Sequence, residues 1–149
     1  MYQHILLSTD GSEVAQRGID HGLALAKALG ARVTIVTATE PFAFPSRAVA
    51  AGWAPSAEDR SNYEKGQKEF ADGVLKAARE AADKMGVPVK TIHAPDAHPA
   101  TAILDAAKSE GCSLIVMASH GRRGLGRLLL GSQTSEVLAH SPVPVLVVR

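Results

Sequence analysis

The chain reads as an α/β protein, a single-domain doubly wound five-stranded parallel sheet with helices on both faces. Three observations carry that reading. Short apolar runs alternate with longer stretches of helical periodicity, in the order β-α-β-α-β-α-β-α-β. Two of the runs, HILLST and SLIVMA, are apolar enough to be strands buried inside a sheet. Glycines close the helical stretches at Gly30, Gly86 and Gly111, where a helix hands over to a strand. Right-handed crossovers then leave few topologies, and the strand order 3-2-1-4-5 is the one expected.

The first strand runs from His4 to Thr9 and ends at the turn Asp10-Gly11-Ser12. From Ser12 to Leu29, Val14, Ile19, Leu23, Ala26 and Leu29 recur at helical spacing, with Ser12 or Asp10 as the cap. Arg32 to Ala38 is the second strand. The segment from Pro41 to about Ser56 is rich in Pro, Ala and Gly and reads as a long mobile loop. A second helix follows from about Glu58 to Met85, and Val87 to His93 is the third strand. Pro99 opens a third helix at its first turn, where a missing amide is harmless. Ser113 to Ala118 is the fourth strand, Ser132 to His140 a short helix, and PVLVVR the last strand.

The 149 residues are expected to form one domain, 46% hydrophobic and 21% charged, as in a soluble globular protein. A net charge of +1 does not advertise nucleic-acid binding. Cys112 stands alone, so no internal disulfide or cysteine-based metal site is expected, which fits a reducing cytoplasm. The start, MYQHILLSTDG, lacks the pattern of a signal peptide, and no apolar run is long enough to cross a bilayer. A cytoplasmic protein without membrane attachment is the expectation.

In a sheet of this order, ligands sit beyond the carboxyl ends of the strands, where the strand order reverses. Thr9-Asp10 and the stretch from Ala118 to Gly131 would then line one crevice. The stretch MASHGRRGLGRLLLGS, Met117 to Ser132, holds four glycines and three arginines, and no acidic residue lies between Glu110 and Glu136. It is not a Walker loop: Arg127 and Leu128 occupy the places of the phosphate lysine and the Mg²⁺ hydroxyl. Neither the G-x-G-x-x-G pattern nor a kinase glycine loop fits. What remains is a glycine-rich loop that leaves an apolar strand and delivers the chain to a helix N-terminus at Gly131-Ser132. The unpaired amides there favour an anion, and the hydroxyls of Ser132 and Thr134 add further donors. Spacing alone equally admits a surface loop whose glycines only turn the chain, with Leu128, Leu129 and Leu130 packed beneath it.

Together with HILLSTDGSEVA at the start, the stretch LIVMASHGRRGLGRLLLGSQTSEVLAHSPVPVLVVR resembles the universal stress protein family. The resemblance covers essentially the whole chain. The family's ATP-binding branch carries G-x2-G-x9-G-[ST], and that register falls on Ala118, Gly121, Gly131 and Ser132, with alanine in the first glycine place. The resemblance implies a Rossmann-like fold and an ATP site, with Asp10 contacting the adenosine part and Thr9 supporting that turn. It further implies that Ala38 lines the adenine pocket, that Met117 and Ala118 pass beside the nucleoside, and that Gly121, Gly131, Ser132 and Gln133 meet the phosphates, where the Thr134 hydroxyl noted above would add a donor. Mg²⁺ would accompany the nucleotide. A homodimer through the last strand (Val143, Val145, Leu146, Val147, Val148) is implied as well, and an apolar edge strand invites such pairing.

Other residues have blander readings. Asp10 in an Asp-Gly-Ser turn is also a common helix cap, and the two roles can coexist. His120 reads as a solvated loop histidine rather than a base or phosphate ligand. His93 and His98 flank Pro95-Asp96 but match no standard zinc spacing. The run Glu58, Asp59, Arg60, Glu64, Lys65, Lys68, Glu69 is a solvated helix face. The expected function is a stress-response protein that binds ATP as a structural or regulatory ligand and is not an enzyme. Two alternatives stay open: a slow ATP-hydrolysing or adenylating enzyme of related fold, and a dimeric interaction protein that binds no nucleotide.

Overall fold

A computed structural model describes residues 1–120 and 130–149. The elements follow in the order β1 (His4–Ser8), α1 (Glu13–Leu29), β2 (Arg32–Ala38), α2 (Ser46–Ala50), α3 (Ala57–Met85), β3 (Val89–Ala94), α4 (Pro99–Ser109), β4 (Leu114–Ala118), α5 (Ser132–His140) and β5 (Val145–Val148). The five strands form one sheet in the order β3-β2-β1-β4-β5, as the sequence predicts, and every pairing is parallel. The strand order reverses between β1 and β4.

Both faces of the sheet are covered, which is why the central strands carry no polar alternation. On one face Ile5, Leu7, Val33, Ile35, Leu114 and Val116 meet Ile19, Leu23 and Ala26 of α1 and Leu75, Ala78 and Ala82 of α3. On the other, Leu6, Val36, Ile115 and Met117 meet Ala100, Ile103 and Ala106 of α4 and Val137 of α5. Each fully buried Leu or Ile in these layers contributes about 1.5–3 kcal/mol. α1 lies close on the strands: a Cβ at Gly18 would stand 3.2 Å from the backbone nitrogen of Ala118. Cys112 packs as a buried apolar group, and burial pushes its thiol up to about 11.

Four local expectations are corrected. The Pro41–Ser56 segment contains a short helix, α2, whose Ala48 carbonyl accepts the Trp53 N–H. β3 starts at Val89 rather than Val87, because the Val87 N–H closes the end of α3 on the Ala82 carbonyl and Pro88 has no N–H for a ladder. Leu29 is exposed, one turn past the last core contact of α1, and Leu130 is exposed rather than packed beneath its loop. Leu128 and Leu129 lie outside the described residues.

His4 is the one buried histidine among the described residues. Its Nε2 pairs with the Thr34 hydroxyl at 2.8 Å, and its buried Nδ1 has no partner among the described residues. Burial, helped by the neighbouring Arg32 guanidinium, holds its pKa below the ordinary histidine value. An unfolded chain therefore binds a proton that the folded chain resists, so stability is full above about pH 6.5 and is lost as pH falls below it. Denaturant unfolding across pH 8 to 5 should show this loss in the native chain and a flatter profile in His4→Gln, which keeps a partner for Thr34. Equal slopes in the two proteins would exclude His4 as its source.

Candidate functional site

Beyond the carboxyl ends of β1, β2 and β4 the structure holds a cavity of about 650 Å³. Each wall follows from a local device. After β1, the Thr9 hydroxyl accepts the Gly11 N–H at 3.1 Å and Asp10 Oδ1 accepts the Ser12 N–H at 2.9 Å. Ser12, not Asp10, is the N-cap of α1 and accepts the Ala15 N–H. The turn thus fixes Asp10 at the cavity edge while leaving the capping to its neighbour.

The β4 side is built by the return of the chain to α5. The Gly131 N–H donates to the Ser119 carbonyl at 2.9 Å. The buried Thr134 hydroxyl donates to the carbonyls of Ala118 and Ser119, at 3.1 and 3.2 Å. A Cβ at position 131 would lie 3.3 Å from the Ser119 oxygen, so a larger residue here would have to displace that carbonyl by a few tenths of an ångström. No side chain caps α5. Gln133 accepts the Ala100 N–H with Oε1 at 2.9 Å, covering the first turn of α4, which His98 leaves without a side-chain cap. Two helix N-termini therefore converge on one cavity, where their dipoles favour an anion.

Nine of the ten residues expected at the site line this cavity: Thr9, Asp10, Ala38, Met117, Ala118, Gly131, Ser132, Gln133 and Thr134. The tenth, Gly121, lies outside the described residues. Two of the nine have work beyond the expectation, since the Thr134 hydroxyl is committed to β4 and the Gln133 carbonyl to α4. Val36, Ile103 and Phe70 add apolar lining, and Glu40, Tyr63 and Gln67 add polar lining that the sequence reading did not include. A stripe at Tyr63, Gln67 and Phe70 was visible as helical spacing on the back of the charged run.

His120 differs from its solvated reading. Its Nδ1 lies 2.9 Å from the Ser119 hydroxyl, and its Nε2 is buried beside the cavity without a partner among the described residues. His93 pairs instead with Thr39 at 2.7 Å. No group of three His, Cys, Asp or Glu that could hold a metal exists among the described residues.

The family model of the universal stress proteins matches residues 1–149. A universal stress protein of Thermus aquaticus is 37% identical over 149 residues, covering all of both chains. Among solved structures, universal stress protein UspA from Lactobacillus plantarum superposes with a TM-score of 0.82 at 25% identity, over 99% of this chain and 98% of that one. Two more distant neighbours share the fold and hold nucleotides. One is a universal stress protein in complex with cAMP (TM-score 0.73, 24% identity, 99% and 97% covered). The other is the Archaeoglobus fulgidus protein in complex with dAMP (TM-score 0.68, 19% identity, 99% and 98% covered).

The Thr134 clamp makes a direct prediction. Thr134→Val keeps the shape and removes the donor from two buried carbonyls, which should destabilise the fold by about 1–3 kcal/mol. Equilibrium unfolding in urea measures it, and a change below about 0.5 kcal/mol would mean that the hydroxyl holds nothing.

Proposed function

The chain belongs to the universal stress protein family, and we propose that it binds ATP in the described cavity as a structural or regulatory ligand in a stress response. The observation that carries this reading is the meeting of all nine described candidate residues around one cavity with an uncapped helix N-terminus. The volume suits a small ligand. Apolar lining from Val36, Ala38, Ile103 and Met117 suits a base, Asp10 suits a ribose hydroxyl, and the α5 amides at Ser132 and Gln133 suit phosphate. The cAMP and dAMP complexes of related folds support an adenine nucleotide as the class. Mg²⁺ would arrive on the phosphates, since no set of three carboxylate, histidine or cysteine ligands gathers among the described residues.

The ligand is held rather than turned over in this reading, and the protein is placed in the cytoplasm. Among the described residues β5 pairs only with β4, leaving an edge of half-buried Val145, Leu146, Val147 and Val148 without a neighbouring strand. A second copy is proposed to cover that edge, together with Val143, across a two-fold axis. Sedimentation should therefore give twice the 15.6 kDa chain mass, and a monomer at high concentration would reject the dimer.

Denaturing freshly purified protein and identifying what it releases by mass should yield an adenine nucleotide. The stripped protein should then gain about 2.7 kcal/mol of stability when ATP stands at a hundred times its Kd, without steady release of ADP or AMP. No stabilisation at millimolar ATP rejects the binding reading, whereas sustained turnover rejects its non-enzymatic part.

A further inference from the structure

α3 is longer than the sheet requires. Its 29 residues extend about 43 Å, while a five-residue strand such as β1 spans only about 17 Å. The buried residues of α3 run only from Ala71 to Ala82. Between Ala57 and Phe70 every residue is exposed except Tyr63 and Gln67, which are half-buried. Those two, with Phe70, line the cavity. Spacings of four and three place them on one stripe of the helix.

This overhang is tied to the segment after β2. The Tyr63 hydroxyl donates to the Glu40 carbonyl at 2.8 Å, and its ring meets Phe42 edge-on with centroids 4.9 Å apart. Phe42 stacks on Phe44, and Phe44 on Trp53 at 5.6 Å. With Phe70, five of the chain's six aromatic residues gather at this one end. A helix half that buries nothing in the core is thus fixed in place beside the cavity.

We infer that the N-terminal half of α3 is a base-reading wall, with Gln67 hydrogen-bonding the edge of the adenine ring and Phe70 and Tyr63 flanking its face. The inference rests on the nucleotide reading above and goes beyond it. Position supports it, because α3 packs over β2 and β3. Its overhang therefore rises on the side of Ala38 and Glu40, away from the α5 amides beyond β4. Chemistry supports it too. A glutamine amide offers one acceptor and two donors, which match the paired donor and acceptor of adenine at N6 and N7. Guanine presents two acceptors on the same edge and leaves the amide oxygen opposed by another oxygen. An aromatic side chain offers any base a stacking face.

The test is calorimetric titration of ATP, GTP and inorganic tripolyphosphate into the full chain, Gln67→Ala, Phe70→Leu and the outer-face control Lys76→Ala. Gln67→Ala should weaken ATP about tenfold and shrink the preference for ATP over GTP. Phe70→Leu should weaken ATP and GTP alike, and tripolyphosphate affinity should stay unchanged in both. Melting curves verify that each variant is folded. If the native chain binds ATP and neither variant alters its affinity or its preference over GTP, the wall is overturned and the nucleotide reading stands. If the native chain binds no adenine nucleotide, that reading falls and takes this one with it.

Discussion

The site depends on how the chain closes over the end of β4. The β1–β4 register ends at Leu7 opposite Val116, so the carbonyls of Ala118 and Ser119 lie past the last partner that β1 provides. Buried carbonyls must be paired. The first turn of α5 pairs them, through the Gly131 N–H and the Thr134 hydroxyl. The geometry that satisfies these acceptors also fixes the start of α5 at the top of β4. The first turn of α5 then borders the cavity at Ser132 and Gln133. A Cβ at position 131 would crowd the Ser119 carbonyl, which suits the position to glycine.

The same economy couples α5 to α4. Gln133 covers the Ala100 N–H that His98 does not cap, so one hydrogen bond ties the start of α5 to the start of α4. Fixing two dipoles before any ligand arrives removes an ordering cost from binding. It also leaves fewer ways for an anion to sit. Ser119 extends the arrangement by holding the His120 ring at the cavity wall.

Most of the fold was legible because its signals are local. Apolar runs, capping residues and helix-ending glycines gave the elements, and crossover handedness narrowed the strand orders to a few, of which the expected one is observed. The end of α3 shows where local signals stop: Val87 looks like strand, but its N–H is taken by a helix-closing bond to Ala82. α2 was hidden because five residues between prolines and glycines carry no readable period, and contacts from distant Tyr63 help to hold the segment. At the site, Thr9, Asp10, Ala38 and the residues from Met117 to Thr134 stood at strand ends or in a motif. Tyr63, Gln67 and Phe70 stood in neither. Their role depends on how far a helix overshoots a sheet, a length difference that appears only once both are folded.

The two sides of the cavity are consequently built from different materials. The β4 side is held by buried backbone acceptors, and opening it would strand polar groups at about 1–3 kcal/mol each. The β2 side is held by ring contacts and the exposed Tyr63 hydroxyl, with no buried residue in α2 or in α3 before Ala71. Few buried contacts mean a low free energy of local opening. By that measure the β2 side opens at lower cost than the clamp of α5 onto β4.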